Sequence, residues 1–162
     1  MEYLTTSEEM TLALGERLAG LLSGGCVVAL EGDLGCGKTV LSRGIARGLG
    51  VTEAVTSPTF TVAQEYRLPD GRFLYHLDMY RISDETAALA FGIDEFLFQP
   101  NAITLVEWPG QIAGLLVGPR LRTIHFRHGG EGIRALSFEG WPDACALTAV
   151  LDASGLAPSP GK

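Results

Sequence analysis

Gly32, Gly35 and Gly37 fall within six residues and are followed at once by Lys38 and Thr39, inside the stretch "LEGDLGCGKTVLSR". Gly32, Gly37, Lys38 and Thr39 satisfy G-x-x-x-x-G-K-[ST], the spacing of a phosphate-binding loop. Glycines let such a loop fold back so that successive backbone N–H groups point inward, where they and the N-terminus of the next helix meet phosphate oxygens. In that geometry Lys38 reaches the β- and γ-phosphates and the Thr39 hydroxyl ligates Mg²⁺.

A cradle alone hydrolyses nothing, because metal and attacking water need carboxylates at the ends of neighbouring strands. Asp78 follows the apolar stretch "FLYHL" and Glu107 follows "AITLV", so each stands where a sheet of this kind opens toward its ligand. "TSPTF" adds Thr59, a hydroxyl in a proline-restricted loop that can turn to the metal or the γ-phosphate and respond to the bound nucleotide. His76 shares a strand face with Asp78 and has two readings, a group near the phosphates or a hydrogen-bonded strand histidine. Trp108 is either core or a wall of the nucleotide cleft, and Trp141 is packing.

The elements that position these residues are legible in the apolar pattern. Met10, Leu14, Leu18, Leu21 and Leu22 mark an amphipathic helix, with Thr6 and Glu9 as its capping box, running to Gly24 and Gly25. Cys26 to Glu31 reads as a buried strand, and Leu41, Ile45 and Leu49 as one face of a helix from about Lys38 to Leu49. Two strands, residues 61–67 and 72–80, flank the turn "LPDG". Ser83 caps a short helix through Phe91, ended by Gly92, and residues 101–108 form a second buried strand. Residues 121–128 and 133–139 make a hairpin around "GGEG", a last helix spans about Pro142 to Ala153, and residues 157–162 read as a disordered tail. The chain is therefore expected to be one α/β P-loop NTPase domain over residues 1–156, with a mostly parallel central sheet, antiparallel hairpin strands and flanking helices.

Composition sets limits. The 162 residues suit one domain, 46% of them are hydrophobic, and no uninterrupted apolar run approaches the roughly 18 to 20 residues of a membrane span. "MEYLTTSEEM" lacks the basic start and apolar core of a secretion signal, so a cytoplasmic protein without a membrane partner is expected. Three cysteines lack metal-ligand spacing and read as reduced thiols. A net charge of −7 without a Lys/Arg cluster argues against direct nucleic-acid binding.

"GDLGCGKT", "TSPTF", "HLDMYR" and "VEWP", at these separations in a chain this short, resemble the TsaE family of bacterial P-loop ATPases. The likeness is specific from the first helix to Pro109 and looser to about residue 140. It implies an ATPase using ATP and Mg²⁺, required for the threonylcarbamoyl adenosine (t6A) modification at position 37 of tRNAs reading ANN codons. It further implies that the chain acts with the TsaB and TsaD proteins and meets tRNA only through that complex. Carried over by position, the phosphate loop is Asp33, Leu34, Gly35, Cys36, Gly37, Lys38 and Thr39, the metal ligands are Thr39 and Glu107, the switch threonine is Thr59, the second essential acid is Asp78, and Trp108 lies near the nucleotide. Glu8 matches a nucleotide contact at the start of the first helix. Gly110 departs from the pattern, since many members carry an acidic residue after "EWP".

Three other functions share parts of this pattern. A small-molecule kinase needs an acceptor pocket and an arginine-rich lid, whereas the region after Asp78 offers Arg81 and little else basic. A GTPase switch would use Thr59, but no Asn-Lys-x-Asp sequence occurs. A nucleotide-gated assembly factor would use bound ATP without required turnover, and the same carboxylates would serve it.

Overall fold

The computed structural model describes residues 1–160; Gly161 and Lys162, the end of the expected tail, lie outside the described residues. Eight strands form one sheet: β1 (Tyr3–Thr5), β2 (Val27–Glu31), β3 (Ala63–Arg67), β4 (Phe73–Asp78), β5 (Ala102–Glu107), β6 (Leu121–Gly130), β7 (Ile133–Glu139) and β8 (Ala157–Pro158). Their order is β3-β4-β5-β2-β6-β7-β1-β8. The four central strands, β4, β5, β2 and β6, run parallel, and the pairings outside them are antiparallel. The expected parallel centre with antiparallel hairpins is the architecture observed.

Parallel strands need cover on both faces, and alternation along β2 shows how it is arranged. Val28 and Leu30 face a core built with α1 (Glu8–Leu18), α2 (Lys38–Gly48) and α4 (Ala144–Ala153), where Leu14, Leu41, Ile45 and Leu151 are buried. Val27 and Ala29 face the opposite core, under α3 (Glu85–Phe91) and the 3-10 turns at Ile93–Phe96 and Pro109–Leu115. Every residue of β5 is buried. Helices α1 and α2 approach closely, and the contact runs through glycine: a Cβ at Gly15 would lie 2.6 Å from the Leu41 carbonyl oxygen.

Several boundaries move for identifiable reasons. The cap of α1 is Ser7, whose Oγ accepts from Met10 N–H at 3.1 Å, because Thr5 and its neighbours are drawn into β1 against β7. That helix ends at Leu18 in a 3-10 turn, Ala19–Leu21, short of Gly24. Asp84, not Ser83, caps α3 by accepting from Ala87 N–H at 2.8 Å, and Asp143 caps α4, which starts at Ala144. The tail expected to be disordered is ordered at its start: Ala157 and Pro158 pair with Leu4 and Tyr3, and Ser159 N–H donates to the Glu2 carbonyl at 2.7 Å. Trp141 packs edge-on against Phe138. No helix among the described residues is long and apolar enough to cross a membrane.

Candidate functional site

Sheet order brings the chemistry together. Strands β4, β5 and β2 are adjacent and parallel, so their C-terminal ends open on the same side. Asp78 pairs with Glu107, and Glu107 pairs with Leu30, two residues before Gly32. The loop from Gly32 to Gly37 therefore starts beside both carboxylates. Gly32 passes so near β6 that a Cβ would sit 2.7 Å from the Phe126 carbonyl oxygen, at a φ of +156°. Gly37, at φ +92°, turns the chain into α2 in a conformation that costs other residues about 1–2 kcal/mol.

The loop closes on Lys38. Its Nζ donates to the carbonyl of Gly32 and, at 3.2 Å, to that of Asp33, and lies 3.9 Å from the centroid of the Trp108 ring. Only 5% of Lys38 is exposed. Burial pushes its pKa below the ordinary lysine value, against the pull of the Glu107 and Asp78 carboxylates. Trp108 holds a left-handed backbone, φ 57° and ψ 53°, at a cost of roughly 1–3 kcal/mol for a non-glycine residue, and packs against Tyr80 at 5.1 Å.

Each carboxylate is held at both oxygens. Glu107 Oε1 accepts from Thr39 Oγ1 at 3.2 Å and Oε2 from His76 Nε2 at 2.6 Å. Asp78 Oδ2 accepts from Thr59 Oγ1 at 2.9 Å and from Ser57 Oγ at 3.4 Å, while Oδ1 accepts from Tyr80 N–H at 2.9 Å. These fixed acids and the loop border a cavity of about 500 Å³. Leu34, Gly35, Cys36, Gly37, Lys38 and Thr39 line it, as do Thr59, Asp78, Glu107, Trp108 and, from the start of α1, Glu8.

Asp33 is the one expected site residue that does not line this cavity; its carbonyl faces inward to Lys38 instead. Arg81 is not at the cavity either, and its guanidinium lies 4.5 Å from the Phe60 ring centroid. Gly110 has open space around it, so the missing acidic side chain leaves no gap in the packing.

Sequence reasoning missed Arg134. It reaches from β7 across the loop, donates Nη2 to the Gly35 carbonyl at 3.2 Å, and lines the cavity with Gly132. Only the order β2-β6-β7, which folds the hairpin tip over the loop, brings it there. Ser57 was visible in "TSPTF" but had no assigned role, and the short loop delivers it with Thr59 to Asp78.

Thr39 and Glu107 offer hard oxygen donors side by side next to the phosphate loop. Among the described residues no group of three or more His, Cys, Asp or Glu side chains is arranged to hold a metal by itself. Mg²⁺ fits this donor set, since it is commonly held by one or two protein oxygens and completes its octahedron with phosphates and water.

Comparison with known proteins adds three findings. The family model described as threonylcarbamoyl adenosine biosynthesis protein TsaE matches residues 5–135. The chain is 40% identical over 139 residues to the TsaE protein of Bacillus subtilis (strain 168), covering 85% of this chain and 84% of that one. It is also 42% identical over 120 residues to TsaE of Synechocystis (71% and 74%) and 37% identical over 124 residues to TsaE of Haemophilus influenzae (72% and 77%). The crystal structure of YdiB from Bacillus subtilis superposes with a TM-score of 0.71 at 30% identity, covering 96% of this chain and 93% of that one.

Proposed function

The chain belongs to the TsaE family, whose members take part in tRNA threonylcarbamoyladenosine biosynthesis, and we propose that its part in that process is to bind and hydrolyse ATP with Mg²⁺. The observation that carries this reading is the meeting of Lys38, Thr39, Glu107 and Asp78 at one cavity that the loop residues Leu34 to Gly37 also line.

On this reading Lys38, released from the carbonyls of Gly32 and Asp33, would bind the β- and γ-phosphates through its ammonium. Thr39 Oγ1 and Glu107 Oε1 would hold the Mg²⁺. When bound, that ion neutralises charge developing on the phosphate oxygens. Asp78 orients the attacking water, and Thr59, already hydrogen-bonded to Asp78, reports on the γ-phosphate side of the site. Glu8 and the first turn of α1 border the nucleoside end.

The partners on this reading are TsaB and TsaD, with tRNA met only in the complex and the work done in the cytoplasm. Two features support partners at the mouth. Phe60 is 82% exposed and Leu34 78%, large apolar residues beside Thr59 and in the loop. The chain's charge of −7 suits a more basic partner face and opposes direct contact with tRNA.

The test is phosphate release from the purified chain alone, with TsaB, with TsaD and with both. Slow turnover alone and a rise with both partners is expected. Rapid turnover without partners, or stoichiometric transfer of phosphate to a small acceptor, would overturn the reading in favour of a kinase.

A further inference from the structure

His76 has no part in the reading above, yet it makes one of the two contacts that orient Glu107. It lies inside β4, two residues from Asp78 and diagonal to Glu107 on the neighbouring strand, within reach across a sheet face. The imidazole is 1% exposed. Its Nε2 stands 2.6 Å from Glu107 Oε2, and because a carboxylate only accepts, Nε2 carries the hydrogen. Its other nitrogen, Nδ1, is buried and has no hydrogen-bond partner among the described residues.

That asymmetry is informative. Leucine at a strand position this deep has no polar atom of its own to satisfy, whereas histidine leaves one unsatisfied. The return is confined to Glu107. The last torsion of a glutamate is broad, so a carboxylate held at one oxygen can swing between orientations. With Oε2 taken by His76, Oε1 remains turned toward Thr39 Oγ1, 3.2 Å away.

We propose that His76 is a positioning residue which, through its Nε2–H, holds the Glu107 carboxylate so that Oε1 and Thr39 Oγ1 face a divalent cation together. The inference rests on the Mg²⁺–ATP reading and extends it by one residue, which never touches metal or nucleotide. Groups that hold a ligand in this way typically change metal affinity by about 10- to 100-fold when removed.

The experiment uses the full chain loaded with AMP-PNP, a non-hydrolysable ATP analogue, and titrates it with Mg²⁺ by calorimetry and with Mn²⁺ by electron paramagnetic resonance. His76→Leu should weaken both metals about 10- to 100-fold while AMP-PNP affinity in EDTA stays within twofold. His76→Gln, whose amide reaches the position of Nε2, should recover most of the loss, and His76→Asn, whose amide stops short, should not. Placed on a Glu107→Gln background, His76→Leu should add no further loss. Melting curves identify any variant that fails to fold; should His76→Leu be one, the contrast between Gln and Asn decides. Unchanged metal affinity in His76→Leu, equal behaviour of Gln and Asn, or a full additional loss on the Glu107→Gln background overturns the proposal. If the unmodified chain shows no metal-dependent AMP-PNP binding, the Mg²⁺–ATP reading itself fails, which is a separate result.

Discussion

Gly44→Ala tests the joint that holds Lys38 and Thr39 against the sheet. Both residues sit in the first turn of α2, and α2 is fixed by its close approach to α1. A Cβ at position 44 would lie 2.3 Å from the Leu12 carbonyl oxygen and 3.0 Å from the Gly15 Cα, where ordinary contact begins at 3.4 Å. Gly44 is helical, so alanine suits its backbone and propensity alone would add about 1 kcal/mol of stability. Space decides the sign. Both obstructing atoms are backbone, so the helices must part by about 1 Å, and Leu14, Leu18, Leu41 and Ile45, each 0% exposed, lose packing. Overpacking of this kind costs roughly 3 kcal/mol at the upper end of its usual range, which leaves a net loss of about 2 kcal/mol. For a chain of this size that lowers Tm by about 4–8 °C. Gly20 is the control: nothing lies within 4 Å of its Cβ position, and Gly20→Ala should be neutral or stabilise by about 0.4–1 kcal/mol. Calorimetry or circular dichroism reads both, and AMP-PNP binding should weaken in Gly44→Ala as α2 shifts. A Gly44→Ala protein that melts at or above the unmodified chain would refute the close-approach argument.

Three further substitutions follow from the site. Lys38→Met removes the buried ammonium expected at the β- and γ-phosphates, so ATP affinity by calorimetry should fall about 10²- to 10⁴-fold, at about 1.5–3 kcal/mol for each charge-assisted contact. The same variant has a pH signature. Because the folded pKa of Lys38 lies below the unfolded one, the unfolded chain binds more protons between the two, and stability rises as pH climbs through that window; Lys38→Met should flatten the rise in pH-dependent melts. Glu107→Gln and Asp78→Asn should both depress turnover and then separate, with excess Mg²⁺ partly rescuing Glu107→Gln and leaving Asp78→Asn inactive. Rescue of the Asp78 variant alone would exchange the two roles.

Local spacing carried most of what could be read in advance. The glycines, Lys38 and Thr39 act within one loop, and Asp78 and Glu107 each end an apolar strand, so their place at a sheet edge depends on nothing remote. Cross-strand facts were out of reach. Arg134 meets the loop only because β6 and β7 follow β2 in the sheet, and His76 meets Glu107 only along a diagonal that depends on the register of β4 with β5. Strands β1 and β8, three and two residues long, are too short for any periodicity, and they form because each finds a partner edge. Their pairing also shifted the α1 cap from Thr6 to Ser7. Thr6 lies next to β1, whereas Ser7 keeps the extended backbone that a cap requires.

The cavity has two unlike sides, and the difference bears on how turnover is controlled. Toward β4 and β5 it is rigid: Asp78 and Glu107 are each 3% exposed and hydrogen-bonded at both oxygens. A wall of this kind can hold metal and water without reorganising, which is what electrostatic preorganisation requires. Toward Leu34 and Tyr80 its lining stands in solvent, and Phe60, next in sequence to the lining residue Thr59, is exposed as well. Among the described residues the cations that line the cavity are Lys38 and Arg134; the first is committed to the loop carbonyls and the second to Gly35. Arg81, the arginine nearest in sequence to Asp78, spends its guanidinium on Phe60 outside the cavity. Phosphoryl transfer gains about 10³ to 10⁵ in rate from an arginine placed on the developing γ-phosphate charge. Nucleotide binding needs the loop, Lys38 and the rigid side, all already at the cavity, so on the ATPase reading the chain alone should load ATP and hydrolyse it slowly. Acceleration then depends on what covers the open side. A partner that buries Phe60 would also free Arg81 from it, so the activating cation can come from the partner or from Arg81 itself. Arg81→Ala separates the two: a partner's cation leaves stimulation intact, whereas an internal one loses it while basal turnover is unchanged.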